Sequence, residues 1–270
     1  MDLQHASLNS ITVRSARLPE LLSIATQHGF GGVGLWRDVY TPHGASEAAR
    51  CIAAAGLRVS SVCRAGMFVH TDEAGRSTAW DDNRRAIDEA RTLGAECLVL
   101  VCGGQGTRGL ADARAQIADG IAELAPIAAA AGVPLAIEPM HPMMIADRSA
   151  VTTLQEANDL IDELDADADV GIALDAYHVF WDVNVFREMH RAGGERLRSV
   201  QVSDWVVPIR HQLSSRGMPG EGIIDLPAIL HTASAVGYQG LVEVEVLSDR
   251  WWAQPPAVAA ERAVQGLLAL

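Results

Sequence analysis

Four consecutive apolar runs in the second half of the chain end in, or carry, side chains that are costly to bury. Leu135-Ala136-Ile137 leads into Glu138, with His141 three residues on in Glu-Pro-Met-His-Pro. Val170 to Leu174 leads into Asp175, with His178 three residues on. Leu197 to Ser203 carries Gln201 and leads into Asp204-Trp205, and Leu241 to Val246 carries Glu243 and Glu245. A carboxylate at the end of a buried strand is expensive unless it is paired or bound to a metal. One such residue is ordinary, as a helix cap or an arginine partner; four in succession point to a shared site. Carboxylate oxygens with one amide oxygen make a hard donor set, suited to Mn²⁺, Mg²⁺ or Co²⁺ rather than to thiolate-seeking ions. Glu243 and Glu245 share a strand face, so Glu245 is the one expected to reach such an ion and Glu243 lies a layer deeper.

The elements that must position these side chains follow a repeating pattern. Short runs at Ala6 to Leu8, Gly32 to Trp36, Arg58 to Cys63, Glu96 to Val101, Pro134 to Glu138, Val170 to Asp175, Leu197 to Ser203 and Leu241 to Val246 are mostly continuously apolar. Parallel strands buried on both faces read this way. Amphipathic stretches at 18–28, 44–55, 79–92, 111–131, 150–164, 184–192, 225–236 and beyond Pro256 separate or follow them, most ending at a glycine that tolerates a helix stop. Eight strand–helix units in 270 residues predict an α/β fold, a single (β/α)₈ TIM barrel over residues 1–270. A doubly wound sheet would show a glycine-rich fingerprint after its first strand, and Asn9-Ser10-Ile11-Thr12 is not one. In a barrel the strand carboxyl ends form one rim, where all these polar ends meet.

Composition narrows the partners. Asp plus Glu number 34 against 21 Lys plus Arg, a formal charge of −13, which repels phosphate backbones and speaks against nucleic acid. No run approaches a membrane span, and Met1-Asp2-Leu3-Gln4-His5 has no basic-then-apolar leader. Cys51, Cys63, Cys97 and Cys102 show no CxxC spacing, so reduced thiols in a cytoplasmic protein are expected.

Leu135-Ala136-Ile137-Glu138-Pro139, Leu174-Asp175-Ala176-Tyr177-His178, Val200-Gln201-Val202-Ser203-Asp204 and Val244-Glu245-Val246 together resemble the xylose-isomerase-like barrel superfamily of sugar phosphate isomerases and epimerases. Arg216-Gly217-Met218-Pro219-Gly220-Glu221-Gly222 is similar to the R-G-x-P-G-x-G loop of ketose 3-epimerases. The resemblance implies one divalent ion, Mn²⁺ foremost, on Glu138, Asp175, Gln201 and Glu245. It implies Glu138 and Glu245 as an acid/base pair, His178 facing the substrate, and Arg216 holding a sugar oxygen or a neighbouring acid. Position 201 departs from the family's histidine; an amide oxygen donates less charge and should loosen the ion. The superfamily's DNA-repair endonucleases use extra histidines on earlier strands, whereas Arg64-Ala65-Gly66 and Cys102-Gly103-Gly104 stand there, so a trinuclear zinc site is not expected.

The remaining rim residues add detail. Trp36 and Trp205, nearest strand ends, are expected to stack on a sugar's apolar face; large residues that plug loops are the plainer alternative. His141, between two prolines, is a second base or a hydroxyl partner, or a ring bonded to a loop carbonyl. Arg37 and Arg64 either bind a substrate oxygen or neutralise the acidic rim. The loop Gly103 to Gly109 reads as a flexible lid or a weak phosphate cradle. Trp251-Trp252 and the stretch Ala257 to Leu270 could serve a homo-oligomer or a partner subunit. The leading expectation is a metal-dependent isomerase or epimerase that removes a proton beside a sugar carbonyl through an enediolate. The second is a lyase that cleaves 3-keto-glycosides by β-elimination, and the third is a non-catalytic sugar-binding barrel.

Overall fold

The computed structural model describes residues 2–165 and 168–270; Met1, the first residue of the N-terminal pentapeptide above, lies outside them. The described residues form ten strands: β1 (Ala6–Asn9), β2 (Gly32–Trp36), β3 (Arg58–Gly66), β4 (Leu98–Val101), β5 (Leu135–Ile137), β6 (Val170–Asp175), β7 (Leu197–Val202), β8 (Asp204–Trp205), β9 (Arg216–Gly217) and β10 (Val242–Val244). Eight close into a parallel barrel in the order β1-β10-β7-β6-β5-β4-β3-β2, the expected TIM barrel. β8 and β9 form a separate antiparallel ribbon above the rim.

Apolar packing divides between two spaces. Leu8, Leu35, Leu98 and Leu100 face outward onto helices such as Leu110–Ala131, whose Ile117, Ile121 and Leu124 are fully buried or nearly so. Inside the barrel the side chains are smaller, with Cys97, Val99, Ala136 and Ala173 as a compact cluster. Above them, polar groups share a register: Ser7 pairs Glu243, Glu243 pairs Gln201, and Gln201 pairs Asp175. One face of each strand therefore carries the site into the barrel interior.

Boundary differences have local causes. The third long helix, Glu73–Leu93, starts at Glu73 rather than 79, because the Asp72 carboxylate accepts the Gly75 N–H and caps it. β3 runs on through Gly66, which exchanges two hydrogen bonds with the Asn83 amide, so Arg64 sits within a strand rather than after one. β10 ends at Val244, leaving Glu245 beyond the ladder at the mouth. All four cysteines are free thiols, and among the described residues no helix is long and apolar enough to cross a membrane.

The first half of the Gly103 to Gly109 segment is tied down rather than free to move as a lid, because Gly103, Gln105 and Gly106 N–H groups donate to the carbonyls of Arg148, Ile145 and Ala146. Those three donors are spent and do not serve a phosphate cradle. Trp251 and Trp252, expected to serve an oligomer, also make internal contacts, their indoles donating to Glu221 and to the Ile11 carbonyl; the C-terminal helix Pro256–Leu268 buries Ala259, Ala260, Ala263 and Leu267 and leaves Val258 and Leu268 exposed.

Candidate active site

The acids predicted from strand ends converge at the carboxyl end of the barrel. Asp175 closes β6 and is fully buried; its Oδ1 accepts the Tyr177 N–H at 2.9 Å. Its Oδ2 accepts from Arg216 Nη1 at 2.6 Å. Arg216 enters from the ribbon β8–β9, only 3 % exposed, and the same Nη1 lies 3.4 Å from Glu245 Oε2. Its guanidinium also rests 4.5 Å from the centre of the Tyr177 ring. Arg216 is therefore a buried counter-cation held by acids, not a flexible loop residue.

Glu245 is fixed from the other side. Trp36 Nε1 donates to its Oε1 at 3.0 Å, and the Asn9 amide donates at 3.3 Å. Asn9 also donates to Glu243 at 2.5 Å, tying the two layers together. Glu243 is buried below the rim, where the hydroxyls of Ser60 and Ser61 and the Gln201 amide donate to it. Gly34 stands beside this carboxylate, and a Cβ there would collide with it.

Gln201 donates through Nε2 to Glu243 at 3.3 Å, while its Oε1 is buried without a hydrogen-bond partner. An orphaned amide oxygen is an available donor to a cation. Glu138, Asp175 and His178 each present a ligand atom, all within 4.8 Å of one another. His178 is fully buried; its Nδ1 accepts the His141 amide N–H at 3.2 Å, and its Nε2 lies 3.0 Å from Arg216 Nη2, which can only donate. Nε2 is also 3.6 Å from Asp175 and 3.9 Å from Glu138. Both ring nitrogens thus face N–H donors, and Nε2 is the ring atom turned toward the two acids.

Burial sets the protonation pattern. Burial and the charges of Glu245 and Asp175 hold Glu138 well above the carboxylate range. Burial raises Glu245 as well, but Arg216 and the Trp36 indole oppose it, leaving it at about 7. Burial also raises Asp175 against the pull of Arg216. His178 is pushed well below its usual value by burial and by Arg216, and burial lowers His141. Both imidazoles are neutral at pH 7.

A cavity of about 40 Å³ opens between Glu138 and Glu245, with Trp36, Arg64, Arg148 and Arg216 on its polar side. Val101, Met140, Leu213 and Leu247 form its apolar side. Trp36 and Arg64 thus line the cavity beside the two glutamates, Arg64 from within β3. Trp205 and His141 lie outside that lining: Trp205 packs on His141 at 4.9 Å and on Tyr177 at 4.8 Å between ring centres. Arg37 is spent on Asp82 and Glu89. Asp204 ties down the following loop by accepting the Gly220 and Ile224 N–H groups. Sequence reasoning missed Asn9, whose signal was the same as for the acids, a polar residue ending an apolar run, and Arg148, which carries no such signal.

The chain belongs to the xylose isomerase-like TIM barrel family, whose model matches residues 22–269. Over 264 residues it is 28% identical to a 3-dehydroshikimate dehydratase of Pseudomonas aeruginosa, covering 95% of this chain; the chain spans only 40% of that protein's length. It is 25% identical over 202 residues to an inosose isomerase of Bacillus subtilis, covering 73% of this chain and 69% of the other. The crystal structure of protein SMc04130 from Sinorhizobium meliloti 1021 superposes with a TM-score of 0.95 at 42% identity, covering 99% and 98% of the two chains. The named relatives are enzymes, one a dehydratase and one an isomerase.

Proposed function

We propose that this xylose isomerase-like barrel removes a proton from the carbon beside the carbonyl of a small sugar-like ketone and returns it elsewhere, as an isomerase or epimerase. The observation that carries the reading is the pair Glu138 and Glu245, two buried carboxyls on one cavity with different hydrogen-bond partners. Different surroundings are how two like groups take opposite proton-transfer roles. Glu245, whose oxygens face the Trp36, Asn9 and Arg216 donors, acts as base; Glu138, to which no side chain among the described residues donates, acts as acid. Trp36 and Asn9 hold one Glu245 oxygen in place, and Arg216 keeps the base from rising further. His178, held between the His141 backbone N–H and the Arg216 guanidinium, keeps Nε2 beside the acids and orients the substrate. Proton return at the neighbouring carbon gives an aldose–ketose isomer; return on the opposite face gives an epimer.

Glu138, Asp175, Gln201 and Glu245 would hold one divalent ion, Mn²⁺ foremost and Mg²⁺ or Co²⁺ as alternatives; the unpartnered Gln201 Oε1 supports the fit. When bound, such an ion supplies Lewis acidity toward the substrate carbonyl. The second reading is β-elimination from 3-keto-glycosides; that one relative is a dehydratase is in keeping with an elimination. A cavity of about 470 Å³ favours it, since it shares the Trp36 wall and has room for an aglycone beside Ser10, Arg14 and His43. The acid/base pair sets both readings apart from a sugar-binding barrel, which needs no proton transfer.

The test is incubation in D₂O with Mn²⁺ and ketoses, inososes or 3-keto-glycosides, read by NMR. Deuterium beside the carbonyl of an intact product supports isomerisation or epimerisation. Release of water or an aglycone moves the reading to elimination. Absence of exchange and turnover on every substrate defeats both.

A further inference from the structure

Every basic side chain of this protein is arginine, and most are matched by acids, as Arg37 is by Asp82 and Glu89 and Arg216 by Asp175 and Glu245. Arg64 and Arg148 differ. Both line the catalytic cavity, both are only partly exposed, and among the described residues neither has an acid within 4.0 Å. Their surplus charge is notable in a chain of −13. It is also surplus locally: of the three arginines lining the cavity, Arg216 alone is paired with acids, Asp175 and Glu245. Two unpaired guanidiniums left on a neutral sugar would be desolvated without compensation.

Both are mounted on fixed backbone. Arg148 accepts the Gly103 N–H at 2.9 Å, and Ala150 N–H returns to Gly103 at 2.9 Å. Gly104 packs so closely on Ala146 and Asp147 that a Cβ would not fit. Arg64 lies two residues before Gly66, which the buried Asn83 amide grips at 2.7 and 3.0 Å. Guanidinium forks held in place recognise planar or tetrahedral oxyanions better than mobile ammonium groups do. Met140, Leu213 and Leu247 complete a wall for the carbon face of a ring.

We infer that the substrate bears an anionic substituent, a carboxylate or a phosphoryl group, which Arg64 and Arg148 grip while Glu138 and Glu245 face the reacting carbon. This rests on the enolisation reading above and narrows its substrate class.

The test titrates the intact Mn²⁺-loaded protein calorimetrically with 3-dehydroshikimate, fructose 6-phosphate and a neutral inosose. At least one anionic probe should bind about ten-fold or more tighter than the inosose, and which one does so distinguishes carboxylate from phosphoryl. Arg148→Gln and Arg64→Gln should each weaken that probe roughly 10- to 100-fold, the range for hydrogen bonds to charged groups. Inosose affinity should stay within about three-fold, and Arg148→Lys should recover part of the loss. Equal affinity for all three probes, or anion binding indifferent to both glutamine variants, overturns the inference. Deuterium exchange into inosose without any anion preference would sink it while leaving enolisation standing. Tight, arginine-dependent anion binding without exchange does the reverse.

Discussion

Replacing Arg216 by Met removes the one cation inside the acid cluster while keeping much of the side chain's length. In the wild type the guanidinium sits 2.6 Å from Asp175 and 3.4 Å from Glu245, nearly water-free. Removing one partner of such a buried pair costs about 3–5 kcal/mol. With about 2.1 cal/mol/K of unfolding entropy per residue, a chain of this length should lose roughly 5–9 °C of melting temperature. The loss should depend on pH. Without Arg216 the native carboxyls move further up, so the native variant keeps protons that its unfolded chain gives up above about pH 4. The variant's deficit therefore grows as pH rises and is largest near pH 8. Melting curves of chelated wild type and Arg216→Met between pH 5 and 8, followed by circular dichroism, test this. Added Mn²⁺ should stabilise the variant more than the wild type, because an ion replaces the missing charge. A variant that melts within about 1 °C of wild type at pH 8, or with a deficit independent of pH, refutes the counter-cation argument.

Glu245→Gln keeps size and an oxygen donor but cannot move a proton, so turnover should fall at least about 10²-fold while Mn²⁺ still binds by calorimetry. Gln201→His should tighten Mn²⁺ binding in the same assay, since imidazole is the better donor; unchanged affinity counts against Gln201 as a ligand. In chelated protein the Glu245 carboxyl, raised from 4.5 to about 7, should make stability fall as pH rises across that window, on the order of 3 kcal/mol in all. Urea midpoints compared with Glu245→Gln isolate this contribution, and parallel pH curves for the two proteins would exclude it. Gly34→Ala should destabilise the fold through its clash with Glu243, and a wild-type melting temperature would show that the layer yields.

Much of this arrangement is written locally in the chain. Continuous apolar runs with helix-stopping glycines between them leave few folds besides a barrel, and Glu138 and Asp175 are legible because nothing else in their runs is polar. Glu245 is legible for a different reason, its two-residue offset from Glu243 putting both on one strand face. Contacts made across the barrel are not legible in this way. Asn9 reaches Glu243 and Glu245 over more than 230 positions of sequence, a distance only strand closure spans. Arg216 looks like a loop arginine between a serine and a glycine until the β8–β9 ribbon turns it inward. Arg148 lies in Ala-Asp-Arg-Ser, ordinary surface vocabulary, and faces the cavity because Gly103 holds its backbone there. The glycines at 103 and 104 suggest freedom by composition, yet their value is close packing.

The division of labour between the two glutamates follows from their neighbours rather than from the residues themselves. Both carboxyls are almost fully buried and share a cavity, so burial alone would raise both alike. Glu245 receives an indole N–H from β2, an amide from β1 and a guanidinium from the ribbon, each of which favours its charged form. Among the described residues no side chain donates a hydrogen bond to the Glu138 carboxyl, which also feels the charges of Glu245 and Asp175. In the proposed mechanism these surroundings favour the charged form of Glu245, the base, and the neutral form of Glu138, the acid. The asymmetry requires donors from β1, β2 and β9 to meet at the end of β10, and a closed barrel is the arrangement that brings four such distant segments to one carboxyl. The polar stack of Ser60, Ser61, Asn9 and Gln201 around Glu243 serves the same end, fixing the floor from which Glu245 projects.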